Sequence, residues 1–264
     1  MEKIDYQKLY ALQDEVLEFV NSKVNDFYLT GGTALNRFLF KENTRHSDDL
    51  DFFISSSTDL SSSPQEQIKE IITLLKNNFD TKIESSYDDF SRIIISKDET
   101  KLQVDFINDV VTRFGNSLKI NGFWIDNPRN ILSNKISAIM SRDEEKDIYD
   151  LYLLFKNIEI DWEILISEAQ EKEHFQSSDF IARLKIFPVS LLDNIKTDDK
   201  EFLEEIKADF SNLVANIERL GQQEDMVGFS VEQLAMSHAG SLDVADVKRE
   251  VERLADGDSG LKLK

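Results

Sequence analysis

Hydrophobic positions between residues 4 and 24 fall at Leu9, Leu12, Val16, Leu17 and Val20, a spacing that lines one face of a helix. The period then changes. Phe27, Tyr28 and Leu29 make a short apolar run that meets adjacent glycines, Gly31 and Gly32, before Ala34, Leu35, Phe38 and Leu39 resume helical spacing. This predicts a strand, a tight turn and a helix. From Asp49 to Ile54 carboxylates alternate with apolar residues, so a strand there carries Asp49 and Asp51 on one face. Ser55 to Pro64 is Ser-rich and reads as a surface loop with a helix start at its end; Ile68, Ile71, Ile72 and Leu75 then give helical spacing from Gln67 to Phe79. Four β-rich runs follow, Thr81–Ser85, Phe90–Ser96, Lys101–Asn108 and Ser117–Ile125, separated by polar turns such as Tyr87-Asp-Asp and Lys97-Asp-Glu-Thr.

Beyond Pro128 the pattern is helical throughout, with runs at 129–140, 144–157, 161–172, 178–186, 199–220 and 243–255, and the final residues, 256–264, read as frayed. The expected fold class is α/β (α+β): a mixed β-sheet with flanking helices over residues 1–127, then a helical domain over 128–264. The helix carrying Lys135 is expected to return to the sheet.

Composition narrows the classes. The absence of cysteine excludes disulfides, thiolate zinc sites and Cys nucleophiles, and His46, His174 and His238 are too scattered to suggest a zinc site. No apolar run approaches the ~20 residues of a membrane span, and Met-Glu-Lys-Ile-Asp-Tyr carries no signal-peptide core. A cytoplasmic protein without membrane contact is expected. The formal charge of −20 opposes non-specific binding to nucleic acid, so such a substrate would need a local basic patch. Candidates are Arg37, Lys41 and Arg45 after the glycine turn and Arg129, Lys135, Arg142 and Lys146 later, with scattered solvated charge as the alternative.

The glycine pair allows a turn whose outward N–H groups suit phosphate, and the Asp49/Asp51 pair suits a divalent cation. Asp105, within Leu102-Gln-Val-Asp-Phe-Ile107, would join them only if its strand lies beside theirs. Three converging carboxylates repel one another, and two Mg²⁺ ions (Mn²⁺ as a substitute) shared with a nucleoside triphosphate would relieve that repulsion, which is the chemistry of nucleotidyl transfer. Each feature alone has a plainer reading. Gly-Gly is often only a turn, Asp-x-Asp is also solvated edge charge or a nucleotide-sugar glycosyltransferase motif, and a single buried Asp is often structural.

In combination, Gly31-Gly-Thr-Ala-Leu35 with Arg45-x-Ser47-x-Asp49-Leu-Asp51 resembles the AbiEii group of nucleotidyltransferases, the toxin half of abortive-infection type IV toxin–antitoxin pairs in the DNA polymerase β-like superfamily. Lys135-x-x-Ala138-x-x-x-Arg142 and Lys146-Asp147-x-x-Asp150-Leu151 are similar to that group's later motifs, so the resemblance covers roughly residues 27–155. It implies that Gly31, Gly32 and Thr33 hold the triphosphate and that Asp49, Asp51 and Asp105 bind metal, with Asp105 nearest the attacking hydroxyl. Arg45, Ser47, Lys135 and Arg142 would assist nucleotide binding, Lys135 as a phosphate contact. Asp147 and Asp150, three apart on one helical face, would place the acceptor or orient Lys135, or else simply pair with Arg142 and Lys146. The Gly-Gly-Thr turn and its long spacing to Asp49 depart from the wider superfamily but are shared by this group. Ile139 stands where the group often has a second basic residue, which Arg142 could replace. His46 is read as an exposed loop histidine rather than a base or ribose contact.

The implied activity is transfer of a nucleotide from an NTP to an acceptor, foremost an RNA (tRNA) 3′ end, by a growth-arresting toxin with a cognate antitoxin. Alternatives are a protein hydroxyl or a small molecule such as an aminoglycoside as acceptor, and a nucleotide- or partner-binding module without turnover.

Overall fold

The computed structural model describes residues 4–24, 26–42, 44–55, 62–221 and 261–263; the helix expected at 243–255 lies outside them. Two compact units are formed, each from non-contiguous segments: unit 1 from Met1–Leu39, His46–Val111 and Ile120–Asp126, unit 2 from Phe40–Arg45, Thr112–Lys119 and Asn127–Lys264.

Unit 1 opens with α1 (Tyr6–Lys23), capped by the Asp5 carboxylate, which accepts from the backbone N–H of Gln7 and Lys8. Strand β1 (Phe27–Thr30) runs into a single helical turn, α2 (Gly31–Thr33), continued by a π-helical turn over Ala34–Leu39. Strand β2 (Asp49–Ser55) follows, then α3 (Pro64–Asn78), which starts with a Ser63/Glu66 capping box and a proline in its first turn. β3 (Asp80–Ser86), β4 (Phe90–Lys97) and β5 (Thr100–Asp109) form an antiparallel meander. The last predicted run is two short strands, β6 (Leu118–Ile120) and β7 (Phe123–Ile125), because Asn121 and Gly122 turn the chain with φ of 51° and 87°.

The sheet order is β3-β4-β5-β2-β1-β7-β6. β2 pairs parallel to β5 and antiparallel to β1, and β1 pairs parallel to β7, so the sheet is mixed. Register sorts its residues into two faces. Ile93, Ile95, Leu102, Val104, Phe106, Leu50, Phe52 and Leu29 share one face and are all buried. The Phe106 ring stacks on Phe52 and meets Phe27 edge-on, at centroid distances of 5.3 and 5.4 Å. α1 and α3 lie against β5 and β3 and supply Leu12, Val16, Ile68, Ile71 and Leu75 to this core. The opposite face carries the polar residues Arg92, Asp105, Asp49, Asp51 and Thr30.

Unit 2 is mainly helical: α4 (Pro128–Ser141), α5 (Glu145–Asn157), α6 (Trp162–Lys172), α7 (Ser177–Ile186), a 3₁₀ turn over Val189–Asn194, and α8 (Lys200–Gly221). α4 packs on α5, α6 and α7, and α8 closes on α5 and α7. Leu132, Ile136, Leu151, Trp162, Phe180 and Ile206 are buried between them. Asn127 starts α4 by accepting from Asn130 N–H, while its amide donates to the carbonyls of Phe114 and Asn116. A two-stranded ribbon pairs β8 (Ile158–Ile160) with β9 (Leu261–Leu263), inside the tail expected to fray.

Candidate active site

The glycine turn is shaped by its neighbour across the sheet. Gly31 has φ +69°, a conformation costly for any other residue, and a methyl built on it would stand 2.6 Å from Asp51 Oδ2. Glycine is therefore required twice over, by backbone geometry and by the carboxylate beside it. Gly32 and Thr33 are buried, and Asn36 ties the following turn back by donating to the Gly32 carbonyl at 2.9 Å.

Thr33 fastens the turn to the start of β2. Its Oγ1 donates to the Asp49 carbonyl at 2.5 Å and lies 2.8 Å from the buried Ser47 Oγ. Gln13, fully buried on α1, holds the same segment from the other side, donating to the carbonyls of Ser47 (3.0 Å) and Asp49 (3.5 Å) and accepting from Arg37 (2.8 Å). The Arg37 guanidinium also pairs with Asp14 and lies over the Tyr10 ring. His46 stacks on Tyr6 at 3.9 Å, and its Nδ1 is 3.1 Å from Tyr10 Oη. It is half-buried packing rather than the exposed loop residue expected, because α1 presents two aromatic rings to that loop.

Adjacency of the aspartate strands follows from the pairing. Asp51 is opposite Asp105 on parallel β2 and β5, Arg92 is opposite Asp105 on β4, and Thr30 is opposite Asp51 on β1. One rung thus reads Arg92, Asp105, Asp51, Thr30 across four strands, with Asp49 two residues along on the same face. Asp49 and Asp51 are half-buried and Asp105 is buried. Arg92 donates to both oxygens of Asp105, Nε to Oδ1 at 2.8 Å and Nη2 to Oδ2 at 2.7 Å. That bidentate bond, reinforced by the charges of Asp105, Glu84 and Asp51, holds the guanidinium above its ordinary pKa despite partial burial.

Among the described residues no group of three or more His, Asp or Glu side chains is arranged as a ready metal centre, and Asp105 is bonded to Arg92. The donor set still fits a hard divalent cation: carboxylate oxygens, two of them in direct register, beside a glycine that a side chain would close off.

In unit 2 the later motifs converge on one buried cluster. Lys135 Nζ lies 2.8 Å from Asp147 Oδ1 and 2.6 Å from Asp150 Oδ2. Arg45 forks onto Asp150 with bonds of 2.9 and 2.7 Å, and Arg142 binds Asp147 Oδ2 at 2.8 Å. Asp147 and Asp150 are fully buried, Arg45 and Lys135 nearly so. Burial pushes Asp150 up, but Arg45 and Lys135 pull it well below the usual carboxylate range; Asp147 is lowered by Lys135 and Arg142 against the same penalty. Burial pulls Lys135 down, and Asp150 and Asp147 outweigh it to leave the ammonium above its usual value.

A model of the AbiEii family, "Nucleotidyl transferase AbiEii toxin, Type IV TA system", matches residues 20–227. The chain belongs to that family. It is a nucleotidyltransferase of the AbiEii toxin type. An uncharacterized protein of Aquifex aeolicus (strain VF5), aq_aa25, is 29% identical over 215 residues, covering 79% of this chain and 97% of the relative. Two crystal structures from Helicobacter pylori share the fold, each with a TM-score of 0.53. JHP933 is 20% identical (85% of this chain, 97% of that one), and a putative nucleotidyltransferase is 19% identical (86% and 100%).

In this AbiEii chain six of the seven residues expected to offer a basic patch pair with acid. Arg37 pairs with Asp14, Arg45 with Asp150, Arg129 with Glu168, Lys135 with Asp147 and Asp150, Arg142 with Asp147, and Lys146 with Glu144. Sequence reasoning missed Gln13 and Arg92. Gln13 sits at an interior position of the α1 stripe, where an amide among Leu9, Leu12, Val16 and Leu17 was the available signal. Arg92 on an otherwise Ile-rich strand was another, but its partner depends on a register that no local pattern specifies.

Proposed function

We propose that this AbiEii protein is a Mg²⁺-dependent toxin that transfers a nucleotide from an NTP to an RNA 3′ end, foremost that of tRNA, releasing pyrophosphate. The observation that carries the reading is the Asp51–Asp105 register, with Asp49 on the same face and Gly31 against Asp51. Bound Mg²⁺, or Mn²⁺ in its place, would supply positive charge to the triphosphate and lower the pKa of the attacking hydroxyl. Asp49, Asp51 and Asp105 are the residues that would hold it. The backbone of Gly31, Gly32 and Thr33 cradles the triphosphate, and Thr33 and Ser47 fix the turn to β2. Lys135 meets phosphate as a point charge whose direction is set by Asp147 and Asp150, while Arg45 and Arg142 act by holding those two carboxylates.

The family assignment brings a type IV antitoxin as the expected partner. A second reading, a hydroxyl on a protein or small molecule as acceptor, draws support from the net charge of −20 and from the ion pairing of Arg37, Arg45, Arg129, Lys135, Arg142 and Lys146. Incubation with α-labelled NTPs and a cell extract, followed by separate nuclease and protease digestion, decides between them. Label released by nuclease supports the RNA acceptor; label released only by protease, or found on small molecules, overturns it.

A further inference from the structure

The rung across β4, β5 and β2 contains a cation as well as acids. We infer that Arg92 is a built-in counter-ion that competes with divalent cations for Asp105, so that metal loading of this face requires the guanidinium to leave. The inference rests on the proposed metal site and adds a residue that controls it.

The geometry supports competition rather than co-residence. Both Asp105 oxygens accept from Arg92, at 2.8 and 2.7 Å, and the Gln103 amide approaches Oδ2 at 3.5 Å. The same oxygens are the ones a cation near Asp51 would use, because Asp51 and Asp105 are register partners. The two halves of the pair also differ in freedom. The Asp105 side chain is 6% exposed and fixed on a central strand, whereas the Arg92 side chain is 36% exposed on a long, flexible stem. Arg92 also interacts with groups other than Asp105: its guanidinium lies 5.5 Å from the Phe90 ring, and Glu84 on β3 acts on it electrostatically. Held in place, it gives the acidic face one fixed positive charge. Released, it leaves Asp105 available and its own charge beside the site.

Energetically, each bound cation must break a charge-assisted fork before it gains Asp105, so apparent metal affinity is weakened by that amount. Removing the guanidinium while keeping the fold should therefore tighten binding, the opposite of what loss of a structural contact does. Replacement by lysine keeps the charge without the fork and should fall between.

The test is Mn²⁺ titration of the full chain without nucleotide, by calorimetry and by the loss of the free-Mn²⁺ electron paramagnetic resonance signal. Wild type, Arg92→Gln, Arg92→Lys and Arg92→Gln with Asp105→Asn are compared, with thermal unfolding in chelator as a check on folding. Arg92→Gln should tighten the Mn²⁺ dissociation constant by about tenfold, equivalent to ~1.4 kcal/mol. Adding Asp105→Asn should abolish the gain, and Arg92→Lys gives an intermediate value that carries the test if Arg92→Gln does not fold. Equal or weaker Mn²⁺ binding by the folded Arg92 variants overturns the competition while leaving the metal site standing. Binding by neither wild type nor any variant overturns the metal site and the competition together.

Discussion

Replacing Asp150 by asparagine isolates the electrostatic content of the buried cluster, because the two side chains have nearly the same shape. In the native protein Asp150 accepts two bonds from Arg45 and lies 2.6 Å from the Lys135 ammonium, with no exposure of its own. Asparagine keeps one acceptor oxygen, turns an amide N–H₂ toward one of the cations, and removes the negative charge that faces Arg45 and Lys135, while Asp147 still pairs with Lys135. Breaking a buried pair from one side typically costs about 3–5 kcal/mol, and the retained oxygen argues for the lower end, about 3 kcal/mol. For a unit of this size that is roughly 6–12 °C in Tm. Trp162 is fully buried in α6 and reports on unit 2, so urea and thermal unfolding followed by tryptophan fluorescence in a Trp124→Phe background would measure it. The pH dependence has a definite sign. Asp150 has a depressed pKa in the folded state, so its contribution is complete above the ordinary value of about 3.9 and is lost as pH falls through the depressed one. Lys135 is raised, so its contribution is complete below about 10.4 and is lost as pH climbs through the folded value. The difference between wild type and Asp150→Asn should be flat from about pH 5 to pH 10 and narrow below about pH 4. A cost under about 1 kcal/mol at pH 7, or a gap that widens on acidification, would refute the reasoning.

Other outcomes follow from the same geometry. Gly31→Ala forces a side chain into a φ of +69° and against Asp51 Oδ2; it should cost about 1–3 kcal/mol in denaturant unfolding and abolish nucleotide transfer. Thr33→Val removes the donor to the Asp49 carbonyl, and a loss of about 1–3 kcal/mol with lowered transfer is expected, while Thr33→Ser should retain most of both. Arg142→Ala, whose side chain is 46% exposed, should cost less than about 1 kcal/mol by urea titration, well short of Arg45→Ala, which removes a buried two-bond fork from Asp150.

The mixed sheet and the helical unit were legible because period-two alternation from Asp49 to Ile54 and helical spacing in α1, α3 and the later helices are local properties of the chain. The Gly31-Gly32 turn was legible for the same reason, since positive φ leaves a signature in residue choice. What escaped depends on distant pairing. Arg45 and Asp150 are 105 residues apart, and the bond that joins them beside Lys135 has no local signature in the chain. Arg92 could be assigned only once β4 and β5 were in register, and Gln13 only once α1 lay against the segment before β2. His46 looked exposed because loop composition was visible and the Tyr6 ring it stacks on, forty residues earlier, was not. The ion pairing of the candidate basic residues escaped for the same reason: clusters of Arg and Lys are apparent along the chain, but acids that pair with Arg37, Arg45 and Arg129 come from other elements.

The most direct test of the account is transfer of α-labelled ATP, CTP, GTP and UTP to total RNA with Mg²⁺, comparing wild type with the Asp49→Ala, Asp51→Ala double variant at matched folded concentration. The account predicts nuclease-sensitive label from at least one NTP with wild type and none with the double variant; label that persists without Asp49 and Asp51 would contradict it.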